Sequence, residues 1–167
     1  MPNSYLFLKK NLFIAICVYT SSIILSSLIF FVLNLNDGNL VFKEELGQWY
    51  SVFLHNVRIH IMIILSGILF SIPSILILII NGSIGGFFIT QSILTNDFKS
   101  LIFTIFGHGL FEIPATLMSA AMSFQITALI IYRVFLKKNV SFQFRHFLYS
   151  FLIMIVFTLI SSLIETY

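Results

Sequence analysis

A chain of 167 residues that is 59% hydrophobic and only 9% charged, with a mean hydropathy of +1.05, is not composed as a soluble domain, since such domains carry about 25% charged residues. Its length suffices for one compact membrane domain, and its single cysteine, Cys17, excludes an internal disulfide or a multi-cysteine metal cluster. The net charge of +3 is no nucleic-acid signature, because the basic residues stand at the edges of apolar runs, where they anchor and orient helices in a bilayer.

A bilayer crossing takes about 20 apolar residues, and on that measure the chain is expected to be an all-α, polytopic transmembrane bundle of five spans. Lys9 and Lys10 precede a first span of about 12–33. This run outlasts a signal-peptide core and no small-x-small cleavage site closes it, so it is expected to be retained. The polar stretch 34-NLNDGNLVFKEELGQ-48, with Asp37, Glu44 and Glu45, reads as a loop, and Trp49 and Tyr50 suit the interface. From Ser51 to Leu94 the chain is apolar for two crossings. Pro73 lacks the helical donor and disfavours helix in the residue before it, which places the turn at 71-SIPS-74 and the helices at 51–71 and 75–95. The alternative is one longer helix reaching Ile80, with the break at 81-NGSIGG-86.

After Asn96, Asp97 and Lys99, the run 101–132 would measure about 48 Å as one helix, against roughly 30 Å of hydrocarbon. The excess predicts a broken or partly re-entrant fourth element, interrupted at 107-GHG-109 and Pro114. Arg133, Lys137, Lys138 and Arg145 then lead to a last span at 147–164. An N-terminus in the cytoplasm puts Lys9, Lys10 and those four basic residues inside. It puts Asp37, Glu44, Glu45, Asp97 and Glu165 outside, in accord with the positive-inside rule.

Several polar residues interrupt the apolar runs: His55, Asn56, Arg58 and His60 in the second span, Asn81 in the third, and His108, Glu112 and Gln125 in the fourth. At membrane depth such groups face a bundle interior or a wet cavity. His108 and Glu112, four residues apart, share a face of an intact helix. Arg58 and Glu112 fall in the same half of the bilayer, so a pair between them is expected, completed by His108 and Asn56. Pairing would offset part of the roughly 2.5–3.5 kcal/mol that a lone charge costs at a helix centre.

Three roles for this cluster stay open. It can tie helices together, at about 0.6 kcal/mol per interhelical hydrogen bond. It can line a pathway or ligand site. It can also catalyse, since His55, His60, His108 and Glu112 are residue types that bind zinc. The order H-x-x-x-E departs from H-E-x-x-H, however, and neither G-x-S-x-G nor a phosphate loop occurs. No catalytic residue, metal or cofactor is therefore assigned. Gly82 and Gly86, with Gly85 beside them, form a small-x-x-x-small pair suited to close helix packing, as do Gly67 and Ser71.

The stretches 108-HGLFEIPA-115, 81-NGSIGG-86 and 53-FLHNVR-58 resemble the stage II sporulation protein M family, over roughly residues 50–130. The resemblance implies a multi-pass protein of a bacterial cell membrane with about five helices. Here its N-terminus is expected in the cytoplasm and its C-terminus outside the cell. Family positions map onto Asn56, Asn81, Gly82, His108, Gly109, Glu112 and Pro114. The resemblance further implies either a non-catalytic scaffold for peptidoglycan-degrading partners, as in sporulation, or an association with ATP-binding cassette ATPases and bacteriocin production or immunity. The chain is short for the sporulation namesake and carries no large extracytoplasmic domain, which favours the second branch. The expected protein is an oligomeric membrane subunit that meets its ATPase through 133-RVFLKKNVSFQFR-145 and exports, matures or resists a hydrophobic peptide. A scaffold, or a peptidase or cyclase using His108 and Glu112, is the alternative.

Overall fold

The computed structural model describes residues 4–33, 48–96, 109–142 and 144–166. Helix α1 spans Ser4–Leu33 and α2 spans Trp49–Leu65, prolonged by a 3-10 turn at Ser66–Leu69. Helix α3 spans Ile72–Thr95, α4 spans Leu110–Ile130 and ends in a π-helical turn at Ile131–Phe135, and α5 spans Phe144–Thr166. All five helices are long and apolar enough to cross a membrane, and no strand occurs among the described residues. The protein is a transmembrane helical bundle.

Its side chains are distributed inside out relative to a soluble domain. Val32, Phe13 and Leu69 stand 77%, 66% and 62% exposed, while Ser74, Ser119, Ser123 and Ser162 are fully buried. The reason is physical. Lipid tails are as apolar as leucine, so burying large apolar side chains between helices gains little. Close backbone approach and interhelical hydrogen bonds drive association instead.

Helix α4 sits in the middle and packs against each of the other four helices. The most extensive single contact is between α1 and α3, which run parallel. Ser22 donates to the Ile79 carbonyl at 2.7 Å, Ser27 to the Gly86 carbonyl at 3.1 Å, and Thr90 to the Ser27 carbonyl at 3.1 Å. Gly82 and Gly86 make this possible. A Cβ on Gly82 would lie 2.8 Å from the Tyr19 carbonyl oxygen, and one on Gly86 would lie 2.6 Å from that of Ile23. The site 81–86, considered above as a chain break, is thus continuous helix pressed against α1.

The turn between α2 and α3 comes earlier than expected from Pro73. Ser66–Leu69 tighten into a 3-10 turn, and Phe70 and Ser71 both adopt left-handed backbone, with φ of 56° and 58°. Pro73 falls in the first turn of α3, where its missing N–H is no loss. Two consecutive left-handed non-glycine residues cost about 1–2 kcal/mol each, and α4 holds them in place through hydrogen bonds described below. In the fourth element, Pro114 lies inside α4 without interrupting it. At the fifth helical position it lacks the N–H that would bond the Leu110 carbonyl, and the helix continues through it. Gly109 precedes α4, whereas the expected break at Gly107 and His108 lies outside the described residues.

Alanine at position 82 or 86 is expected to force α1 and α3 apart and to lower stability by about 1–3 kcal/mol, the usual range for overpacking. Gly85→Ala should be near neutral, because its Cβ would meet only ordinary contacts at 3.8 Å or more. Thermal unfolding of the three variants in detergent checks this, and equal loss at all three positions would contradict it.

Candidate functional site

The rotation of α2 decides where its polar residues point. His60, Ile63, Ile64 and Gly67 form its buried face. At about 100° per residue, Arg58 then lies on nearly the opposite side. It is exposed, as is His55, while Asn56 is half-buried. Among the described residues the Arg58 side chain makes no hydrogen bond or ion pair.

Glu112 occupies a different place. It is half-buried in the first turn of α4. Tyr19 of α1 lies within electrostatic reach of it. The Tyr19 hydroxyl also lies 3.9 Å from where a Cβ on Gly85 of α3 would stand. Glu112 thus belongs to the junction of α1, α3 and α4, and the expected Arg58–Glu112 pair is not formed. Asn81 is half-buried on α3, one residue before Gly82, and His108 lies outside the described residues.

The two histidines of α2 do not share an environment either. His55 is exposed, whereas His60 is 2% exposed and neither of its ring nitrogens has a hydrogen-bond partner. Among the described residues no three His, Cys, Asp or Glu side chains gather as metal ligands would. Gln125 is also buried, and its Oε1 lacks a partner.

The densest polar group was not evident in the sequence. Ser123, in the middle of α4, lies 3.1 Å from the Ser66 hydroxyl, 2.8 Å from that of Ser71 and 2.8 Å from that of Ser74. One turn on, Thr127 lies 2.6 Å from the Ser71 hydroxyl and donates to the Gly67 carbonyl at 2.8 Å. Ser66 and Ser74 both donate to the Ile63 carbonyl, at 2.7 and 2.9 Å. Gly67 permits this approach, since a Cβ there would lie 2.5 Å from the Ser123 carbonyl oxygen. The five hydroxyls pin the strained α2–α3 turn to α4. Attention to charged residues passes over them. The available signal was small residues recurring along α4 at Thr116, Ser119, Ala120, Ser123 and Thr127.

The family model for stage II sporulation protein M matches residues 12–167. The chain belongs to the stage II sporulation protein M family. It is also 27% identical over 151 residues to an uncharacterised protein of Methanocaldococcus jannaschii, covering 83% of this chain and 85% of that one. No solved structure matches it. Of the positions that the family resemblance marks, Gly82 is the α1 contact, Glu112 and Pro114 open α4, and Asn56 and Asn81 are half-buried on α2 and α3.

Beyond α4, the basic residues of the following loop divide into two kinds. Arg133 donates through Nε and Nη2 to the Val140 carbonyl, at 3.0 and 2.8 Å, and so closes the loop on itself. Arg145 donates to the Tyr149 hydroxyl at 3.2 Å and lies over that ring. Lys137, with a left-handed φ of 48°, and Lys138 are exposed, and among the described residues their ammonium groups make no ion pair.

Because Arg58 and Glu112 sit in separate environments, Arg58→Met and Glu112→Gln are expected to change unfolding stability additively, within about 0.5 kcal/mol. A double-mutant cycle measured in detergent or bicelles checks this. A larger coupling between the two would restore the pair.

Proposed function

We propose that this family member is a non-catalytic membrane subunit acting with an ATP-binding cassette ATPase in the export, maturation or immunity of a hydrophobic, bacteriocin-like peptide. The observation that carries the reading is the loop after α4. Its shape is held by Arg133, and it leaves Lys137 and Lys138 exposed, beside exposed Phe135 and Leu136. Exposed cations next to apolar side chains suit an acidic, partly apolar surface on a soluble protein. The chain carries no phosphate loop of its own, so nucleotide hydrolysis would fall to such a partner. With the N-terminus cytoplasmic, this loop is on the cytoplasmic side, where an ATPase works. Five helices are few for a peptide pathway, and the subunit would complete one by associating with further copies or a second membrane protein.

A scaffold for envelope-remodelling proteins is the second reading. It is favoured by a hub of interlocked hydroxyls in the interior, which stiffens the bundle. The two readings part on what the protein holds. Gentle purification from its native membrane, followed by mass spectrometry, is expected to recover an ATPase together with a hydrophobic peptide. The Lys137→Glu, Lys138→Glu double variant should lose the ATPase while keeping its own fold. Recovery of cell-wall enzymes instead would support the scaffold, and recovery of the chain alone would overturn both.

A further inference from the structure

The exposed face of α2 is the least expected surface in a bundle that meets lipid. Trp49–Leu69 is a single span of 21 residues, and Arg58 is its tenth. Its Cα therefore lies roughly 14 Å from the level of Trp49 at about 1.5 Å per residue, close to mid-depth. Side chains lean toward the helix N-terminus, so the guanidinium can climb toward Trp49 by about one turn. That leaves it roughly 8 Å short of that level. A charge at this depth is ordinarily paired or turned inward, yet Arg58 is exposed and makes no ion pair among the described residues.

Its exposed surroundings are broad, with Leu54 and Ile61 beside it as well as His55 and Met62, and one line runs through them. Ser51, His55, Arg58, Met62, Leu65 and Leu69 follow at alternating steps of four and three. This 3.5-residue repeat is the seam along which a second helix packs with a left-handed crossing. Met62, Leu65 and Leu69, exposed at 60%, 55% and 62%, make one end of the seam apolar, and His55 and Arg58 make the other polar.

We infer that this seam is the docking face for a transmembrane helix of another protein, one that carries a carboxylate level with Arg58. An Arg fork grips a carboxylate with two parallel hydrogen bonds, and His55, one turn away, supplies a further donor. A second copy of this chain does not meet the requirement. The acidic residues in its described helices are Glu112 and Glu165. Glu112 is half-buried at the α1–α4 junction, and Glu165 accepts from Ser161 near the end of α5. Asp37, Glu44, Glu45 and Asp97 belong to the polar stretches between spans. The inference rests on α2 alone and holds under either reading of the function.

The test uses two synthetic single-span polyleucine peptides, alike except for Glu or Gln at the central position. That position lies at mid-depth in either orientation. Energy transfer between labelled peptide and labelled full-length protein in phosphatidylcholine liposomes, at alkaline pH, measures their association. The Glu peptide is expected to bind at least tenfold more tightly than the Gln peptide. Arg58→Met should abolish the difference, and Arg58→Lys should keep part of it. Because the Arg58 side chain is exposed and makes no hydrogen bond or ion pair among the described residues, Arg58→Met should unfold at the parent temperature. In a Cys17→Ser background, Met62→Cys should cross-link to a cysteine on the Glu peptide in preference to a second copy. Equal binding of the two peptides, a preference that survives Arg58→Met, or cross-linking of Met62→Cys mainly to itself would overturn the inference.

Discussion

Apolar side chains have nothing to flee in hydrocarbon, so what holds this bundle is how closely its backbones can approach. Two of the main contacts rest on a residue without a bulky side chain, set against a hydroxyl or a carbonyl. Gly82 and Gly86 admit α1 to α3. Gly67 admits α4 to the turn after α2, where Ser123 and Thr127 meet Ser66, Ser71 and Ser74. Individually these hydrogen bonds are worth about 0.6 kcal/mol. Shared around Ser123 they also hold Phe70 and Ser71 in left-handed backbone, which neither residue would adopt without such restraint. The position of α3, and through it that of α1, follows from that turn.

Among the described residues the charged side chains lie at the periphery and the helix junctions, around an interior that holds the hydroxyl hub. Glu112, in the first turn of α4, lies where α1, α3 and α4 meet, near Tyr19. Arg58 faces outward at mid-span, and Lys137 and Lys138 project from a loop that Arg133 closes. Under the proposed function these are the two surfaces open to partners, one within the membrane and one beyond it. The arrangement also separates two kinds of residue that look alike in sequence. Arg133 shapes the loop, whereas the neighbouring lysines are presented by it.

The bundle itself was legible in the residues. Composition and run length gave the five crossings, and the motifs at 53–58, 81–86 and 108–115 pointed to the family that the match over residues 12–167 establishes. Gly82 and Gly86 were readable as packing glycines because small residues four apart have one common use in membrane helices. What was not legible depends on rotation about the helix axis. Arg58 and Glu112 fall in the same half of the span and could have met. Whether they do is decided by which face of α2 carries His60, Ile63 and Gly67, and the polar residues His55, Asn56, Arg58 and His60 are spread around the helix rather than marking one face. The turn after α2 was misplaced by a few residues for a related reason. Pro73 is a strong local signal, but it opens α3 rather than making the turn, while the residues that do turn, Phe70 and Ser71, have no preference for left-handed backbone. The serine hub escaped because each serine alone is unremarkable and only the fold brings five hydroxyls together.

The claim on which the rest depends is that hydroxyl contacts to α4 organise the bundle. A double-mutant cycle between Ser74→Ala and Ser123→Ala, with unfolding followed in bicelles, tests it most directly, since those hydroxyls lie 2.8 Å apart. Each single variant should destabilise the protein, and the pair should couple by about 0.6–1.7 kcal/mol, the span seen for interhelical hydrogen bonds in membranes. Strict additivity, or single variants as stable as the parent, would contradict the account and leave the position of α4 to be explained by packing alone.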